Sequence, residues 1–155
     1  MAADITTLAK TALIEALEKQ RNDVRELAEP LGDAQFWTKP IEPGNSVGHL
    51  VLHLAGNLNY FVGGQLGGSG YVRDREREFT ETQVPSKAEA LRKLDDAVAT
   101  FRRVVSGLSA EQLAAPHPET RFGLVMNALT HLLLHFALHR GQMSYIVRLL
   151  SRGEK

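Results

Sequence analysis

Four long runs of apolar residues at helical spacing, parted by proline and glycine, most constrain what this chain can fold into. The first, about residues 5–29, places Leu8, Ala12, Leu17, Val24, Leu27 and Ala28 near a helical period and stops at Pro30. The second opens after EPGNS, where Asn45 or Ser46 can cap it, and runs to Gly63 and Gly64. In the third, Ser86 and Glu89 have capping-box spacing behind Pro85, and Leu91, Leu94, Val98, Phe101 and Val105 lead to Gly107. The fourth covers about residues 122–151 and is expected to end near Gly153. No stretch alternates with the period of a strand. The expected fold is all-α: one four-helix-bundle domain over residues 1–155.

A long crossover between helices two and three, residues 63–84, is glycine-rich first and charged afterwards, and should be mobile. Its run RDRERE balances its signs and reads as a solvated segment. An internal echo is also visible. LGDAQFWTKP follows the first helix and LSAEQLAAP the third, and each precedes a helix bearing histidines. Two helical hairpins related by a pseudo-twofold would produce that repeat. Trp37, within the first of these segments, is expected to pack the linker.

Charge narrows the functional classes. The 18 basic and 18 acidic residues cancel, so neither nucleic acid nor an anionic membrane is an expected partner. The absence of cysteine removes disulfides, thiolate nucleophiles and thiolate ligands, and fits a reducing cytoplasm. The N-terminal stretch lacks the pattern of a secretory signal, and no apolar run approaches a membrane span. A cytoplasmic protein is expected.

Five of the six histidines fall on two apolar helices: His49 and His53 on the second, His131, His135 and His139 on the fourth. Residues four apart on a helix share a face, so His135 and His139 can reach one ion together. His131 and His139 lie about 12 Å apart along the axis and cannot share it. The remaining ligand must come from a neighbouring helix, as His49 or His53. Apolar residues surround both stripes, so these helices should be buried almost all round, and a buried imidazole needs a partner. Other histidines of the set, His131 and His49 first, should be structural. Neither helix carries a carboxylate, which excludes the Glu-x-x-His pairs of di-iron bundles and the HExxH of zinc proteases. A mononuclear three-histidine centre binding Zn, Ni or Fe(II) is left, with positions for water or substrate. Its undiminished charge favours ionised water or an anionic ligand such as a thiolate.

The segments SVGHLVLHLAGN and HFALHRGQMSYIVRLL resemble the DinB/YfiT-like superfamily of bacterial four-helix bundles, over essentially the whole chain. The motif His135-x3-His139-Arg140-Gly141-Gln142 carries the resemblance. It implies a divalent metal held by His53, His135 and His139, with His53 preferred to His49 because it stands directly before Leu-Ala. It also implies a frequent homodimer and a range of activities. Related proteins include mycothiol-dependent maleylpyruvate isomerase and bacillithiol S-transferases, which suggests a transferase that activates a low-molecular-weight thiol against an electrophile. The alternatives are a hydrolase using metal-bound water, with His49 or His131 as base, and a non-enzymatic, dimeric, stress-related metal protein. Asn57, Tyr60 and Gln65 could line the approach to the metal, or cap and pack. Arg140 could steer an anion or form an ion pair. Gln142 could orient a ligand or join two helices.

Overall fold

The expected helices form, capped largely as the sequence suggests. A computed structural model of the chain describes residues 4–152. The four long helices are α1 (Ile5–Ala28), α3 (Val47–Leu58), α5 (Lys87–Gly107) and α7 (Val125–Arg152). Short helices α2 (Asp33–Phe36), α4 (Arg77–Thr80) and α6 (Ala110–Ala114) lie in the connections. Asp4, Ser46, Ser86 and Ser109 each accept a backbone N–H in the first turn of the helix that follows. The full capping box occurs at Ser109 with Gln112; at Ser86 the serine half is present. Gly153 lies outside the described residues. Among the described residues no helix is long and apolar enough to cross a membrane.

Contacts along the helices fix their directions. Lys10 reaches the carbonyls of Ser106 and Leu108, and Arg21 and Arg25 both pair with Asp95, so α1 and α5 are antiparallel. Gln20 reaches the Leu133 carbonyl and Asp23 pairs with Arg140, so α1 and α7 run in the same direction. His53 meets His139 while Phe61 meets Phe122, which sets α3 against α7. It follows that α3 and α5, consecutive long helices, are parallel neighbours, and a crossover must carry the chain back the length of the bundle. Leu17, Val24, Leu50, Leu54, Leu94, Phe101, Leu129 and Phe136 are buried between the helices.

The internal echo has structural counterparts. Lys87, opening α5, donates to the carbonyls of Ala28, Glu29 and Leu31 at the end of α1. Lys10, early in α1, does the same to the end of α5 at Ser106 and Leu108. In α2 and α6, Gln35 and Gln112 each accept from the backbone N–H of the residue before the helix. Lys10 and Lys87, Leu31 and Leu108, and Gln35 and Gln112 stand at one constant offset in sequence. Each lysine holds carbonyls that a helix end leaves without intrahelical partners.

Two expectations about exposure are corrected. Helix α7 is not buried all round: it packs on α1 and α3, and Leu134, Leu138 and Tyr145 on its outer face are 67%, 58% and 70% exposed. The crossover is not wholly solvated either. It folds α4 back onto α3, and Glu78 ends up buried.

Candidate metal centre

Helical spacing on α7 and the packing of α3 against it bring three imidazoles together. The Nε2 atoms of His53 and His139 lie 3.2 and 3.0 Å from that of His135. One nitrogen from each of the three residues falls within 4.8 Å of the others. In a tetrahedral zinc site with bonds of about 2.0–2.1 Å, ligand nitrogens stand about 3.3 Å apart. The spacing therefore suits ligands arranged about one small cation.

Proton placement strengthens the fit. Nδ1 of His53 lies 2.9 Å from a Glu78 carboxylate oxygen, which can only accept, so Nδ1 carries the proton. Nδ1 of His139 lies 2.7 Å from Oε1 of Gln142 and donates to it in the same way. In the neutral rings both Nε2 atoms are then bare acceptors turned towards Nε2 of His135. A single proton on His135 can serve only one of them. A cation in the middle satisfies all three. Burial, followed by the charges of His139, His53, His131 and Arg73, holds His135 down at about 3 from an ordinary 6.5. Burial also lowers His139, against the opposing effect of its bond to Gln142. These rings favour the neutral form a metal ligand needs.

The carboxylate behind His53 comes from the crossover. Arg73 grips Glu78 through two parallel bonds, Nε to Oε1 at 2.7 Å and Nη2 to Oε2 at 2.8 Å. Burial alone would raise the Glu78 pKa, but its bonds to His53 and Arg73 reverse that and hold it below its ordinary value. Phe79, the next residue, lays its ring 4.6 Å from that of His53. Gly56 makes the approach possible, since a Cβ there would stand 2.0 Å from Oε1 of Glu78. The ends of the RDRERE run, Arg73 and Glu78, thus support His53, a role the balanced charges concealed. Gly56, a glycine inside a buried turn of an apolar helix, was the available signal.

The remaining histidines separate by their partners. His49 is buried with both nitrogens engaged, Nδ1 by Oγ of Ser46 at 2.7 Å and Nε2 by the Glu81 carbonyl at 3.2 Å. It is structural, as expected. His131 is exposed, so its expected structural role is replaced by a place beside the centre: its ring runs nearly parallel to that of His135 at 6.2 Å. His117 is buried and joins Phe61 and Glu119 backbones. Trp37 packs where Gly48 leaves room, its ring 2.4 Å from where a Cβ would lie.

A cavity of about 500 Å³ reaches His53 and His135. Asn57, Tyr60, Phe61, Arg73, Arg121 and His131 are among the residues of its wall. Beyond Leu58 the helix widens into a π-helical turn, Asn59–Gly64, which carries Tyr60 and Phe61. Arg140 stands elsewhere, paired with Asp23 of α1 at 2.8 Å, which favours the ion-pair reading over anion steering. Gln65 is not on this wall. Gln142 accepts from Nδ1 of His139, on its own helix.

The family profile of the DinB superfamily matches residues 16–143, and the chain belongs to that superfamily. Several solved structures share its fold. A conserved protein from Enterococcus faecalis superposes with a TM-score of 0.73 at 20% identity, over 96% of this chain and 98% of its own. YfiT from Bacillus subtilis, described as a probable metal-dependent hydrolase with an unusual four-helix bundle topology, has the same TM-score and identity over 97% and 93%. A DinB-like protein from Bacillus subtilis follows at 0.68 and 20%, over 90% and 92%. No curated protein matches the sequence significantly.

Two outcomes are expected. Glu78→Gln and Gly56→Ala should each weaken metal binding about 10- to 100-fold by calorimetric titration, because both loosen His53 without removing a ligand. Unchanged affinity in both would show that Glu78 does not support the site. In metal-free protein, His135 takes up its proton in the unfolded state near pH 6.5 but in the folded state only at about 3. Stability should therefore fall as pH drops through that window, and fall less steeply in His135→Gln. Parallel melting-temperature curves for the two proteins would contradict this.

Proposed function

We propose that the protein holds one divalent ion, zinc, nickel or iron(II), on His53, His135 and His139, and transfers a low-molecular-weight thiol to an electrophile. The observation that supports this reading is the cavity wall: it carries Arg73, Arg75 and Arg121 beside the histidines and no carboxylate. An ion there would supply Lewis acidity, lowering the pKa of a bound thiol. The chain's own residues do the rest. Glu78, fixed by Arg73, holds the His53 ring in one tautomer and orientation, and Gln142 does the same for His139. Arg75 and Arg121 make the approach attractive to an anion, Arg73 being paired with Glu78. Asn57 and Tyr60 stand on the wall where the incoming molecule would lie.

Hydrolysis, the activity attached to YfiT, is the second reading, and one observation favours it. His131, exposed on the wall and stacked beside His135, could act as a general base. Glu78 could not, because it contacts Nδ1 of His53, on the side of the ring away from the converging nitrogens.

A second copy of the chain is the partner we propose, with the outer face of α7 as the contact. Leu134, Leu138 and Tyr145 form an exposed apolar stripe there. Sedimentation should show a dimer that Leu138→Glu dissociates; a monomeric wild type would refute it.

The thiol reading is tested with cobalt(II)-loaded protein titrated with 2-mercaptoethanol. A thiolate-to-cobalt absorption band in wild type and in His131→Ala is expected. Bound cobalt with no band at any thiol concentration would sink the transferase reading. Ester cleavage lost in His131→Ala would then support hydrolysis, and its absence a non-catalytic metal.

A further inference from the structure

The cavity beside the three histidines has a second half that metal binding does not use. Arg73 is committed to Glu78 through two bonds. Arg121 is placed differently. Its guanidinium lies over the rings of Phe61 and Phe122, at 5.2 and 4.7 Å, and its ion pair with the Glu119 carboxylate is long, at 3.8 Å. Arg75 likewise rests on an aromatic ring, Phe79, at 5.5 Å. The aromatic faces support one side of these exposed planar groups and leave N–H donors available for a planar, bidentate anion.

Asn57 adds an independent observation. It stands one turn beyond His53 on the same wall, 7% exposed, and its Oδ1 is buried without a hydrogen-bond partner. A buried acceptor left alone costs about 1–3 kcal/mol, so native structures rarely keep one without a use. As placed, Oδ1 is closed off from the cavity, and a turn of the amide about its last bond would present it to a ligand carrying an N–H or O–H donor.

We propose that this half of the cavity is a subsite for a small carboxylate that also carries a hydroxyl or amino donor, with Arg121 and Arg75 taking the carboxylate and Asn57 the donor. The subsite deepens the thiol-transfer reading by naming the chemical class the centre acts on, and it rests on that reading only for its purpose. Its existence does not depend on a bound metal. The carboxylate could belong to the thiol or to the electrophile, and the geometry is the same for both.

The first probe is metal-free protein titrated with succinate and with tartrate, which adds hydroxyl donors, followed by amide NMR and calorimetry. Both should bind and shift the resonances of Tyr60, Arg121 and His131, with tartrate tighter. Arg75→Gln combined with Arg121→Gln should weaken both at least tenfold while the melting temperature and helical content hold. Asn57→Ala should remove the preference for tartrate and leave succinate unchanged. Equal binding by wild type and the double arginine variant, or no binding by wild type, would overturn the subsite.

A second arm uses cobalt(II)-loaded protein to separate the sources. Mercaptosuccinate producing a thiolate band at much lower concentration than 2-mercaptoethanol, with the difference lost in the arginine variant, supports a carboxylate on the thiol. Equal response to the two thiols, with succinate still binding to the thiol-loaded protein, supports a carboxylate on the electrophile. Succinate binding that persists while no thiol gives a band keeps the subsite and removes the thiol-transfer reading.

Discussion

Three imidazole nitrogens pointed at one another are the interaction on which the rest of this structure depends. Neutral rings in this arrangement present more lone pairs than protons, and a cation is the natural remedy. Holding them so close requires support on two sides. Glu78 fixes the tautomer of His53, Gln142 that of His139, and Arg73 keeps the carboxylate ionised inside the protein. A buried carboxylate without such partners would tend to take up a proton instead. The crossover is therefore part of the centre, since it delivers Arg73, Glu78 and Phe79 to His53.

Topology explains why that crossover is long. With α3 and α5 parallel, the chain must travel the length of the bundle between them, and the returning segment passes the open side of α3. The two halves repeat one plan: a long helix, a one-turn helix with a glutamine closing its start, and a histidine-bearing helix. Lys10 and Lys87 bind each half's first helix end from the other half. The repeat does not extend to the histidine cluster, to which α7 gives two rings and α3 one.

Much of this was legible in the sequence, for physical reasons that differ by residue. The four helices and their caps follow from apolar period and local side-chain bonds, which need no tertiary information. The pair His135 and His139 follows from helical geometry. Choosing His53 over His49 needed the family motif; the structure gives the physical reason, because Ser46 and Glu81 already occupy both nitrogens of His49. Glu78 was hidden because an alternating charge run ordinarily faces water, and only the close approach at Gly56 sets it apart. The exposed stripe of α7 was hidden for a related reason. A helix apolar on all sides reads as buried, and sequence does not say which side lacks a neighbour.

The central claim is that His53, His135 and His139 together hold one metal ion. Its most direct test is elemental analysis of tag-free protein, saturated with zinc and dialysed, in wild type and in the single variants His53→Ala, His135→Ala and His139→Ala. One equivalent per chain is expected in wild type and a small fraction of that in each variant. Full occupancy in any one of the three, with wild-type helical content, would contradict it.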